Sequence, residues 1–173
     1  MARSTLQFII LTIIIVLAQV IVFNHVCLFD VAMPFVFIYV LLRLPMSLNV
    51  NWVLTAGFLL GLLIDMFSDT YGMNALAGTV LAQCRQYVLR LYLAPEEESS
   101  QQETSMHSLG TEVYAKYLLT MTLLYCCLIF VIEAFSFFNP VQLMLRIVAS
   151  TLLSWSIMMG IDALISKQFG RTG

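Results

Sequence analysis

The residues of this chain that could carry out chemistry are few and scattered. They are the carboxylates Asp65, Asp69, Glu133 and Asp162, the cations Arg85 and Arg146, His25 and His107, and the cysteines Cys27, Cys84, Cys126 and Cys127. Two facing carboxylates could make an acid–base dyad, a histidine beside a serine could activate a nucleophile, and clustered His, Cys, Asp and Glu could hold a metal. None of the required spacings occurs. There is no HExxH, GxSxG or P-loop motif, both histidines fall in connecting segments, and no serine in an apolar run has a histidine or lysine to activate it. Cys126 and Cys127 are adjacent and cannot easily bridge, and no CxxC is present, so the cysteines read as small apolar fillers. No catalytic centre, cofactor or metal is expected.

The elements that position these residues belong to a bilayer. Of 173 residues 61% are apolar and 10% charged, and the mean hydropathy is +0.93, far outside the range of a water-soluble domain of this length. A hydrocarbon core about 30 Å thick needs roughly 20 apolar residues per helix, leaving room for about six crossings and no soluble catalytic domain. The net charge of -2 and the scattered basic residues argue against nucleic acid.

Apolar runs place spans near 5–23, 31–44, 50–67, 72–92, 113–134 and 141–165, an all-α polytopic bundle of one transmembrane domain. The first follows Arg3 and lacks an Ala-x-Ala-like cleavage site, so it reads as a retained signal anchor. The second is short, with Pro34 near its start and Pro45 at its end, and could be tilted, partly interfacial or extended by Leu28 and Phe29. With alternating spans, Arg3, Arg43, Arg85, Arg90, Lys116, Lys167 and Arg171 fall on or near one side and only Arg146 on the other. Both termini are therefore expected in the cytoplasm. Residues 95–112, with Glu96, Glu97, Glu98 and Glu103 among Ser, Gln and Thr, read as a flexible acidic cytoplasmic linker or a docking segment for a basic partner.

The third span carries most information. Gly57, Gly61 and Asp65 recur every four residues and share one helix face, which Ser68 continues. A Gly-x-x-x-Gly face lets another backbone approach closely, whether from the same bundle or from a partner. An ionised carboxylate inside a span costs about 2.5–3.5 kcal/mol on insertion scales, so Asp65 should have a partner or water. Asp65, Asp69, Glu133 and Arg146 fall at similar depth towards the outer side, where Arg146 could be neutralised by Asp65 or Glu133, tying the third, fifth and sixth spans; alternatively each snorkels separately. An inner set holds Arg85 and Asp162, whose pairing is possible, with Gln83 and Gln86 beside Arg85. Asp65 and Asp162 lie at opposite depths and cannot form a dyad.

The run Gly57-Phe58-Leu59-Leu60-Gly61-Leu62-Leu63-Ile64-Asp65, followed by Gly72-Met73-Asn74-Ala75-Leu76, resembles the signature of the MreD family of bacterial rod shape-determining membrane proteins. Pro34 to Tyr39 and the overall length resemble it too. The resemblance implies a fold similar to the six-helix substrate-binding subunits of vitamin importers. It also implies a non-enzymatic role in the cell-wall elongation machinery of the inner membrane. The implied partners are MreC, cytoplasmic MreB filaments, RodA and its penicillin-binding transpeptidase, with Gly57, Phe58, Gly61, Asp65 and Gly72 as partner-binding or helix-packing positions. The acidic segment after Pro95 departs from a simple loop.

The chief rival is a substrate-binding subunit of a vitamin-type transporter. Against it, such subunits dock their transducing partner through small residues repeated on the first span, and here Phe8 to Ala18 is bulky throughout. A pore is disfavoured because no chain of polar groups continues from Asp65 to Asp162.

Overall fold

The computed structural model describes residues 2–23, 33–46, 48–68, 70–92, 104, 109–133 and 140–169, and every regular element among them is helical. In chain order they are α1 (Ala2–Ala18), which runs into a π-helical turn (Gln19–Phe23), α2 (Ile38–Leu42), α3 (Val50–Ser68), α4 (Met73–Tyr92), α5 (Thr111–Glu133) and α6 (Pro140–Phe169). Segments Val50–Ser68, Thr111–Glu133 and Val141–Ile165 are long and apolar enough to cross a membrane, and Phe8–Ile21 is a shorter apolar helix.

On α3 the distribution of side chains is inverted relative to a helix of a water-soluble bundle. On α3 the buried stripe is Val53, Gly57, Gly61, Ile64 and Asp65, whereas Trp52, Phe58, Leu59, Leu62, Met66 and Phe67 face outward. Small and polar residues inside with large apolar residues outside is the arrangement hydrocarbon favours.

The expected second span departs most from a regular crossing. Residues 33–36 are irregular, and α2 has five residues, about 7.5 Å of helix at the usual rise. Pro34 explains this locally: it has no N–H to donate and disfavours helical backbone at Met33. The segment nevertheless lies at the centre of the bundle, with Val36 to Leu42 almost fully buried. Phe35 and Phe37 meet the Tyr125 ring of α5 edge-on at 5.3 and 5.6 Å between centroids.

Irregular backbone buried this deeply must find hydrogen bonds without water. Side chains supply them. Gln19, at the π-helical turn, donates to the Pro34 carbonyl at 3.0 Å and accepts from the amides of Val36 and Phe37 at 2.8 and 3.3 Å. Ser150 and Ser154, one turn apart on α6, accept from the amides of Met33 and Phe35 at 3.0 and 2.8 Å. Five backbone groups of the broken segment are thus satisfied by three side chains on two helices.

Candidate functional site

The glycine face of α3 closes on α4. A Cβ on Gly57 would fall 2.7 Å from the Gly78 carbonyl oxygen and 3.0 Å from the Ala82 Cβ, and one on Gly61 would fall 2.5 Å from the Ala75 Cα. The spacing therefore builds a backbone-to-backbone seam within the chain, so Gly57 and Gly61 are not available to an outside helix. Phe58, on the other side of α3, is 47% exposed.

Asp65 completes the same seam. Its carboxylate accepts from the amides of Asn74 and Ala75 at 3.0 and 2.8 Å, from the Asn74 side-chain amide at 2.9 Å and from the Thr70 hydroxyl at 2.5 Å. These amides lie in the first turn of α4, where they have no partner within the helix and where the helix dipole favours a negative charge. Asn74 in turn accepts from the Tyr125 hydroxyl at 2.5 Å, extending the network to α5. Gly72 forms the turn that makes this possible: its φ of 76° is left-handed backbone that glycine adopts without strain, and its carbonyl accepts from Leu76 at 3.0 Å.

The structure decides between the ion-pairing alternatives, and for Arg146 it selects Glu133 over Asp65. Asp65 does not neutralise Arg146, because its oxygens are committed to α4 and Thr70; Arg146 lies 3.8 Å from Glu133 at a partly exposed site joining α5 and α6. The outer carboxylates therefore divide into two separate sites, and Asp69 lies outside the described residues. Asp162 does not meet Arg85 either. It pairs with Arg43 at 3.2 Å and accepts from the Tyr39 hydroxyl at 2.7 Å, while Arg43 also donates to that hydroxyl at 2.5 Å. The short α2 presents Tyr39 and Arg43 one turn apart, and that geometry, rather than depth alone, selects the partner.

Arg85 does not snorkel: it is completely buried, and its Nη2 donates to the Leu44 carbonyl, to Pro45 at 3.5 Å and to Thr104 at 3.1 Å. Gln83 is exposed and so lines no interior, and Gln86 is half-buried. Thr104, from the segment expected to be a free linker, is buried and donates to the Leu44 carbonyl at 3.1 Å, and Leu109 packs on the core. The rest of 95–108 lies outside the described residues, as do His25, His107, Cys27 and Arg171 and the side chains of Arg3 and Lys167. Cys84, Cys126 and Cys127 are free thiols. Among the described residues, no group of three His, Cys, Asp or Glu could hold a metal ion.

Sequence reasoning missed the residues that complete these networks: Gln19, Tyr39, Arg43, Asn74, Thr104, Tyr125, Ser150 and Ser154. A signal was present for some of them. Gln19 is a lone amide in an apolar run, and Ser150 and Ser154 repeat at one helical turn. Compared with protein-family models, with curated proteins and with solved structures, the chain matches none.

Proposed function

We propose that the chain is a non-enzymatic scaffold of the bacterial cytoplasmic membrane, serving the cell-wall elongation machinery and rod shape in the manner of the MreD family. In this reading it crosses the bilayer six times with both termini inside, docks the single span of MreC, and links MreB filaments to RodA and its penicillin-binding transpeptidase. Five crossings are the longer helices, and the sixth is the broken segment around α2, whose backbone is held by Gln19, Ser150 and Ser154.

The observation that carries the docking reading is the division of α3 into two faces. Gly57, Gly61 and Asp65 are used within the chain by α4, while Phe58, Leu62 and Met66 form a large apolar face on the outside. Outward helix faces are where a partner span can pack in lipid. The buried ionisable groups Asp65 and Asp162 hold helices together, as suits a rigid docking platform.

Affinity purification of the tagged full-length chain from membranes containing MreC tests this reading. MreC is expected to co-purify, and depletion of the chain is expected to turn rods into spheres. Saturable vitamin binding without MreC association would instead support the transporter-subunit alternative and overturn the scaffold reading.

A further inference from the structure

α3 and α4 form an antiparallel hairpin whose register is set by its glycines. A Cβ on Gly61 would meet Asn74 and Ala75, and one on Gly57 would meet Gly78 and Ala82. Continuing that register by one turn sets Trp52 and Val53 level with Arg85. Arg85 is therefore midway along α4 but beside the start of α3, and residues 86–92 carry α4 about 10 Å farther.

The outward side chains of the hairpin change type along its length. At the Arg85 end Trp52 and Tyr87 are 69% and 61% exposed, among exposed Asn51, Gln83 and Arg90. At the opposite end Tyr71, in the turn before α4, is fully exposed. Between the two ends the exposed residues include Phe58, Leu59, Leu62, Leu63, Met66 and Leu76. From Trp52 to Ser68 α3 rises about 24 Å, and with the turn that carries Tyr71 this approaches the roughly 30 Å of a hydrocarbon core.

Tryptophan and tyrosine join an apolar ring to a polar edge and concentrate where hydrocarbon gives way to headgroups, whereas Leu, Met and Phe suit the hydrocarbon itself. A protein partner gathers such anchors near the centre of its contact. Here they stand at the two ends. The helix α4, with Gln83, Arg85, Gln86 and Arg90 in its second half, is not among the segments long and apolar enough to cross a membrane, in keeping with last turns that lie beyond the hydrocarbon.

We propose that the hairpin surface is fitted to a phospholipid bilayer in one register: Trp52 and Tyr87 lie in one headgroup layer and Tyr71 in the other. In this register Arg85 is level with the headgroups, not in mid-membrane, and the end of α4 projects past the bilayer. The inference rests on the chain's being a membrane protein and requires neither MreC nor six crossings.

The test uses the full-length protein in phosphatidylcholine vesicles without MreC, with lipids brominated either near the headgroup or near the chain end. Trp155→Phe leaves Trp52 as the only tryptophan; should that variant fail to fold, subtracting the emission of Trp52→Phe from that of the parent isolates the same signal. Gln83→Trp, Tyr87→Trp, Tyr71→Trp and Leu62→Trp are read in the same way, the first two bracketing Arg85. Shallow bromine should quench Trp52 and positions 83, 87 and 71 roughly twofold more than deep bromine, with the order reversed at position 62. Stronger deep quenching at Trp52, 83 or 87 would overturn the register while leaving membrane insertion intact. Absence of quenching at Trp52 and 87, with position 62 still quenched, would show a second copy covering that end and would overturn it too. No quenching at any position would contradict insertion itself. Each of these results is distinct from failure of MreC to co-purify.

Discussion

Gly57 of α3 and Gly78 of α4 face each other so closely that a Cβ added to either would fall 2.7 or 2.8 Å from the other's carbonyl oxygen. Because the obstacle is backbone on both sides, the helices must separate to accept even a methyl group. Gly57→Ala and Gly78→Ala should each lose about 1–3 kcal/mol of stability. Gly160→Ala, with no atom within 4 Å of the added Cβ, should be neutral or gain up to about 1 kcal/mol from helix propensity. Denaturant unfolding in detergent compares the three, and equal effects would mean that α3 and α4 are not in backbone contact.

Asp65 should matter as a cap for α4 rather than as a counter-ion. Asp65→Ala leaves the amides of Asn74 and Ala75 buried without their acceptor, at about 1–3 kcal/mol for each group. Asp65→Asn keeps an acceptor oxygen and should fall between Ala and the parent. The contact between Arg146 and Glu133, by contrast, is long and partly exposed and should contribute no more than about 1 kcal/mol, read as the coupling in an Arg146→Ala, Glu133→Ala double-mutant cycle. If Asp65 and Arg146 proved strongly coupled in a double-mutant cycle, the separation of the two sites would be wrong.

Gln19 should hold the broken segment in place. Gln19→Leu removes the donor to Pro34 and the acceptor for Val36 and Phe37 together, leaving three backbone groups in an apolar interior. Hydrogen exchange at Val36 and Phe37 should accelerate by at least an order of magnitude, with the amides in the middle of α5 little changed. Unchanged protection of Val36 and Phe37 would show that another group satisfies them.

The Arg43–Asp162 pair should behave as a buried unit. Removing one partner, as in Asp162→Leu or Arg43→Met, should cost about 3–5 kcal/mol, because the remaining charge is left buried. The double variant should recover much of that loss. Simple addition of the two losses would contradict a direct pair.

The four-residue spacing of Gly57, Gly61 and Asp65 made a close-packing face ending in a buried acid legible in the sequence, because helical periodicity alone puts them on one side. What covers that face was not legible. Gly78 and Ala82 are small residues among many, and only the turn at Gly72 folds α4 back onto α3. Depth counting suggested Arg85 for Asp162, but depth does not fix rotation about a helix axis. Tyr39 and Arg43, one turn apart on α2, instead meet Asp162 of α6. The hydrogen bonds that Ser150 and Ser154 accept from the amides of Met33 and Phe35 span more than 100 residues of sequence, and no local pattern encodes such a contact.

The proposed scaffold role requires an outside helix to dock on the outward face of α3 and not on its glycine face. Single photo-crosslinking residues at Phe58, Leu62 and Gly61, introduced into the full-length chain in membranes containing MreC, test this requirement. MreC adducts are expected from positions 58 and 62, with position 61 giving none or only internal crosslinks to α4. Adducts from position 61 in a folded protein, with none from 58 or 62, would overturn docking on the outward face.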